Sequence, residues 1–270
     1  MCQVLEVSRS GFYAWRKRPE SVRSQRQQAL VEEINTIHSD RDMKSYGSPR
    51  MQRELAARGH EVSENTVAKL MREHGLRAAS SRKFRVTTDS HHSLPVAENV
   101  LNREFQQESP DRVWLADITY VWTREGWLYL ACVLDACSRK IVGWSMSERI
   151  TKDLVLEALR MGLGRRRPDC AAGLLHHSDR GSQYASGAFQ ELLRDEHITC
   201  SMSRKGNCWD NAMMESFFAT LKKERIHQEE YATREEARTS VFDYIERFYN
   251  RIRRHSALGY QSPEQFEQAA

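Results

Sequence analysis

At 270 residues, with 40% hydrophobic and 29% charged residues, the chain is long enough for one or two domains with a real core and too polar for a membrane protein. No run approaches the ~20 apolar residues of a spanning helix, and Met1-Cys2-Gln3-Val4-Leu5-Glu6 lacks the regions of a signal peptide, so the expected place is the cytoplasm. The net charge of +4 permits nucleic-acid binding without requiring it; the first 110 residues hold 18 Lys and Arg against 14 Asp and Glu, the remaining 160 hold 23 of each, so phosphate contacts are expected towards the front.

In chain order, Ser8 is placed to cap a short helix carrying Phe12 and Trp15, followed by Arg16, Lys17 and Arg18. The chain reads as entering partway through a small helical unit. Residues 22–39 read as a helix with Leu30, Ile34 and Ile37 inward. A turn at Tyr46-Gly-Ser-Pro-Arg50 leads into a helix ending near Arg58. Ser63 caps another from Glu64 to His74, with Val67, Leu70 and Met71 inward and Gly75 as its stop. Two helices across a short turn fit a helix-turn-helix, with Asn65, Lys69 and Arg72 facing outward. An ordinary helical hairpin with solvated charges has the same pattern. Residues 78–110 lack periodicity and read as a linker, in which His91 and His92 are expected to be solvated.

From 111 the character changes. Strands are expected at Val113–Trp122, Trp127–Asp135 and Lys140–Met146, joined by short turns as an antiparallel meander. A helix over 152–164, a short strand Gly173–His177, a helix Ala185–Asp195, a strand Ile198–Met202 and a long helix from about Asp210, which is read as its N-cap, complete an α/β order with a mixed sheet under helices. The cysteines at 2, 132, 137, 170, 200 and 208 contain no Cys-x-x-Cys pair and read as reduced thiols.

Three acids carry the chemistry. Asp117 lies in the apolar strand Trp114-Leu-Ala-Asp-Ile-Thr-Tyr120, where a carboxylate is costly unless a cation neutralises it. Asp179 falls just past an apolar strand, where ligands of open α/β sheets gather. Glu215 lies in the first two turns of the last long helix, with Ala219 and Lys222 on its face. Each alone has a plain reading as a surface or turn acid. Together, two Asp and one Glu on separate elements suit Mg²⁺, which prefers oxygen ligands and keeps places for substrate phosphates.

The spacing, with 61 residues between Asp117 and Asp179 and 35 between Asp179 and Glu215, together with His177-Ser-Asp-Arg-Gly-Ser-Gln-Tyr184 and Trp209-Asp-Asn-Ala-Met-Met-Glu-Ser-Phe-Phe218, resembles the DDE transposases of bacterial insertion sequences. The match is to the second-frame product of the IS-three family, relatives of retroviral integrases, and it spans nearly the whole chain. The Tyr46–Arg50 and Val67–Leu76 segments resemble its helix-turn-helix, Leu134-Asp-Ala-Cys-Ser-Arg139 its second-strand motif with Asp135 in a supporting role, and Tyr249-Asn-Arg-Ile-Arg-Arg-His255 through Pro263 its C-terminal signature.

The resemblance implies a ribonuclease-H-like α/β core over 108–230 with a mixed five-stranded sheet. Before it lie a helical DNA-binding region, 1–84, and a linker, 85–107; a basic helical extension, 231–270, follows. It implies DNA strand cleavage and strand transfer by in-line displacement. Asp117, Asp179 and Glu215 would hold two Mg²⁺ or Mn²⁺ ions. Lys222, Arg180 and Asn211 would meet DNA near the site. From the residues themselves, Arg247, Arg251 and Arg254 read as one helix face that either meets phosphates or is a plain solvated charged face, and Lys69 and Arg72 are the candidates in the front part. Implied partners are double-stranded DNA, as element terminal repeats and target, further copies of the chain, and an upstream-frame helix-turn-helix and leucine-zipper protein. Two rival readings are another nuclease of the same fold and a non-catalytic DNA-binding regulator derived from a transposase.

Overall fold

The computed structural model describes residues 2, 4–78, 95–170, 173–204 and 208–269, so His91 and His92, expected to be solvated, lie outside the described residues. The chain divides into two compact units, Met1–Ala78 and Ala79–Ala270.

The first unit is helical: α1 (Arg9–Lys17), α2 (Val22–Ser39), α3 (Ser48–Ala57) and α4 (Glu64–Glu73). The expected start signals operate. Ser8, Ser21 and Ser63 each accept a backbone N–H of the first turn through their hydroxyls, and Pro49 stands at the start of α3. Leu30, Ile34 and Ile37 of α2 are buried with Met51 and Leu55 of α3 and Val67, Leu70 and Met71 of α4. Asn65, Lys69 and Arg72 are exposed on α4, opposite that buried face. In α1 no residue is buried.

The second unit is built on β1 (Val113–Thr123), β2 (Gly126–Asp135), β3 (Ile141–Ser147), β4 (Leu175–Ser178) and β5 (Thr199–Met202), in the spatial order β3-β2-β1-β4-β5. The first three strands form the expected antiparallel meander, while β4 and β5 add in parallel. Between them run α5 (Lys152–Arg166) and α6 (Gly187–Asp195). On one sheet face Trp114, Ala116, Ala131, Val133 and Val142 pack against Leu154, Val155, Ala158 and Leu159 of α5 and Phe189 and Leu193 of α6. Period-two alternation sends Leu115, Val121, Leu128 and Leu130, all buried, to the other face. There α7 (Ala212–Glu224) lies against β1 and α8 (Arg234–Asp243) against β1 and β2. The chain ends in α9 (Pro263–Ala269).

The last forty residues are tied into this sheet. The Asn250 side chain works like a short strand: its Oδ1 accepts from the Ile141 N–H at 2.9 Å and its Nδ2 donates to the Ile141 carbonyl at 3.0 Å. Glu267 of α9 pairs with Lys140 and Arg166, both at 2.9 Å. The expected single arginine face is corrected here. A π-helical turn over Tyr244–Tyr249 ends the helix, so Arg251 and Arg254 lie beyond it and do not share a face with Arg247. Beyond it, Asn250 and Arg253 are buried.

Candidate active site

The parallel pairing of β1 with β4 stops at Leu115↔His177. Asp117 follows two residues further along β1 and Asp179 just past the end of β4, near enough for the charge of one to act on the other. Both lie just beyond the end of the β1–β4 pairing. The Ile118 N–H donates to Asp117 Oδ1 at 2.8 Å and the Gly181 N–H donates to Asp179 Oδ1 at 2.9 Å, so the backbone orients each carboxylate. Asp117 retains some contact with solvent, yet its carboxyl is enclosed by protein. Burial, and then the charge of Asp179, push its pKa well above the usual carboxylate range; Glu215 adds to this, while the Ile118 N–H and Lys222 oppose it. Glu215, in the first turn of α7, is half-buried and its pKa is raised by burial. All three acids therefore act on one electrostatic neighbourhood. Among the described residues, no three His, Cys, Asp or Glu side chains are gathered tightly enough to hold a metal ion as they stand.

The launch of α7 differs from the expected one. Its N-cap is Asn211, without a side-chain cap bond. Asp210, expected to cap it, is buried one residue earlier in a 3-10 turn, where it accepts from the Arg204 N–H and guanidinium, from Arg103 Nε and from Asn99 Nδ2, all at 2.9–3.0 Å. These bonds, Arg204's first, hold its pKa below the carboxylate range. They join the strand before the helix to the segment ahead of β1. Asn211, expected to meet DNA, is buried and donates to the Ala116 carbonyl at 3.1 Å. That bond fastens the start of α7 to β1 next to Asp117.

Lys222 lies beside β1. Its Nζ lies 4.7 Å from the centre of the Tyr120 ring, and the Asp117 charge supports an ammonium that partial burial pulls down. Arg180 is half-buried and donates to the Ser203 carbonyl. Further off, Arg251 pairs with Glu264 at 3.5 Å, Arg254 donates to the Tyr260 carbonyl at 3.4 Å, and Lys69 pairs with Glu73 at 3.8 Å. Asp135 is buried and accepts from the Asp111 and Ser138 N–H groups at 2.7 and 2.8 Å, a structural role as expected.

Two site neighbours went unread in the sequence. Cys132 pairs with Asp117 across β1 and β2, and burial, then the Asp117 charge, push its thiol pKa well up. Tyr184 is buried, and burial, Asp117 and Asp179 raise its phenol. Tyr184 stands in the same motif as Asp179, so the signal was present. Cys132 needed the strand register.

A meander extended by two parallel strands, with aspartates at the end of the β1–β4 pairing and a glutamate on the helix after β5, defines a ribonuclease-H-like core of the integrase type. Family models agree: residues 107–208 and 196–263 each match an "Integrase core domain", and residues 25–84 an "HTH-like domain". The chain is 46% identical over 268 residues to "Transposase InsF for insertion sequence IS3A" of Escherichia coli (strain K12), covering 99% of this chain and 92% of that protein. It is 48% identical to the "Insertion element IS600 uncharacterized 31 kDa protein" of Shigella sonnei, covering 99% and 97%. In fold it is similar to a chain of the cryo-EM structure of the simian T-cell lymphotropic virus intasome in complex with PP2A regulatory subunit B56 gamma, at a TM-score of 0.50 and 14% identity over 88% of this chain and 75% of that one. The chain belongs to the IS3 family of insertion-sequence transposases.

Proposed function

We propose that the chain cleaves and rejoins DNA at Asp117, Asp179 and Glu215, freeing a 3′-hydroxyl at an element end that then attacks another phosphodiester. The observation that carries the reading is the load on Asp117: an enclosed carboxyl whose negative charge is opposed by burial, Asp179 and Glu215 together. A divalent cation relieves that load, and a set of two Asp and one Glu offers the hard oxygens that Mg²⁺ or Mn²⁺ takes. Two ions are proposed, held by the three carboxylates after side-chain rotation. When bound, they activate the attacking oxygen and stabilise the leaving one.

The chain's own part is placement. The Ile118 and Gly181 N–H groups fix the two aspartates, and Asn211 holds α7 so that Glu215 approaches them. Lys222 supplies a cation for a phosphate at the same edge. No protein nucleophile is required. Burial, then the Asp117 charge, push the neighbouring Cys132 thiol up, which disfavours a thiolate, and no covalent protein–DNA step is proposed. Double-stranded DNA, as terminal inverted repeats and target, is the proposed partner, bound in part by Lys69, Arg72, Arg180, Arg251 and Arg254. The enzyme would work in the cytoplasm, on the nucleoid, as several copies and with an upstream-frame helix-turn-helix protein.

The test is metal-dependent nicking and joining of a labelled element-end duplex. Wild type should give products with Mg²⁺ or Mn²⁺, and Glu215→Gln, which keeps size and removes the charge, should give none. Equal products from both would remove Glu215 from the site.

A further inference from the structure

Beyond the carboxylates, the β1–β2 hairpin carries a cluster of aromatic rings that the core does not use. Trp122 and Trp127 are cross-strand partners, 58% and 42% exposed, with ring centres 4.7 Å apart and planes at 70°. Tyr120 meets Trp127 edge-on, at 4.9 Å and 81°. Edge-to-face contacts of this kind cover one face of a ring with the edge of its neighbour and leave much of both indoles in solvent. Two large indoles side by side at the surface forgo burial and mark an interaction site.

The cluster is continuous with the reacting centre. Lys222 lies over Tyr120 and within the field of Asp117. Alternation puts Asp117 and Tyr120 on opposite faces of β1. Because β4 pairs with β1 only as far as Leu115, that edge of β1 is open to α7, which carries Lys222 over the Tyr120 ring. From Asp117 to Trp122 the strand runs five residues, roughly 17 Å, the span of a few nucleotides. Arg234 braces the outer end, donating to the Trp127 carbonyl at 3.1 Å.

We propose that Tyr120, Trp122 and Trp127 form a stacking platform for unpaired bases of the DNA strand entering the carboxylate site, with Lys222 on the phosphate between platform and reacting bond. The inference rests on the DNA-processing reading above. Aromatic faces beside a cation are the chemistry that holds single-stranded nucleic acid. Three rings are too few for the roughly 800 Å² per partner of a stable protein interface, but they suit one or two bases.

The experiment uses the full chain and fluorescence anisotropy with two probes: a blunt duplex of the inverted repeat flanking its own gene, and the same duplex with a short single-stranded thymidine extension. Wild type should bind the extended probe about tenfold more tightly, the effect of one stacked base. The double variant Trp122→Ala/Trp127→Ala should lose that preference and keep its affinity for the blunt duplex. The double Phe variant should retain most of the preference, since it keeps flat rings. Thermal melts equal to wild type establish that the variants are folded. Equal wild-type affinity for both probes overturns the platform and leaves the DNA-processing reading intact. So does a preference that survives the Ala variant. Loss of an oligomer on Ala substitution, seen by light scattering, overturns it in favour of an interface between copies. Failure to bind either probe, alone and with the upstream-frame helix-turn-helix protein added, sinks the DNA-processing reading itself.

Discussion

Arg253 and Glu224 are both almost fully buried, joined by two bonds of 2.7 and 2.9 Å, with the Tyr244 hydroxyl donating to Glu224 at 2.8 Å. Burial pulls the Arg253 pKa down, and the Glu224 charge more than offsets it, so the guanidinium stays charged. Removing one partner strands the other: Arg253→Leu should cost about 3–5 kcal/mol in urea unfolding, and adding Glu224→Met should restore a good part of it. His176 is a different case. It is buried between Tyr184 and Phe189, and neither ring nitrogen meets another residue's polar group. Burial, then the neighbouring His177, lower its pKa from 6.5 to about 3. Between those values the unfolded chain binds a proton that the folded chain refuses. This contribution to stability is therefore complete above pH 6.5 and lost as pH falls towards 3. His176→Leu should stay within about 1.5 kcal/mol of wild type at pH 7. It should also shrink the fall in unfolding midpoint between pH 7 and 4.5; an unchanged fall would assign the slope to other groups.

At the scale of elements, α5 can lie on β3 only because two glycines face each other. A Cβ on Gly143 would run into the Ala158 carbonyl and the Gly162 backbone. Gly143→Ala should lower stability by about 3 kcal/mol or more in thermal or urea melts, because backbone cannot step aside as a side chain can. At Gly162 the same methyl meets the edge of the Trp114 ring at 3.2 Å, a lesser strain. The placement of α7 is a second matter of elements. Asn211 ties its start to β1, and Arg253 ties its end, through Glu224, to the C-terminal segment. The signature around Tyr249–His255 thus serves the helix that carries Glu215 and Lys222, whereas its sequence reads only as a row of cations.

For the whole molecule, the surplus of positive charge lies in the helical front unit and the carboxylates in the second. We propose that the two divide the work, the front unit supplying phosphate contacts. Deleting residues 1–78 should weaken duplex binding and flatten its salt dependence, while leaving the melting temperature of the remainder unchanged. A fall in that temperature would show that the front unit supports the core. Mg²⁺ should raise the melting temperature of the full chain, since a ligand of the folded state alone stabilises it, and Asp117→Asn should cancel the rise.

The sequence by itself determined what depends on local periodicity and on spacing. The Ser-capped helices, the Val113–Asp135 hairpin and the three acids at their intervals are set by short-range patterns of polarity and by turn chemistry. It also carried the family, because motifs around Asp179 and Glu215 are contiguous. Only the tertiary structure decided partners distant along the chain. The parallel pairing of β1 with β4 that stops just short of Asp117 and Asp179, the withdrawal of Asp210 and Asn211 into the interior and the clamp of Arg253 on Glu224 are of this kind. An Asp, Asn or Arg has the same polarity in sequence whether it meets solvent or a buried partner. Which it meets is fixed by packing between residues as far apart as Ile141 and Asn250, and no local pattern encodes it.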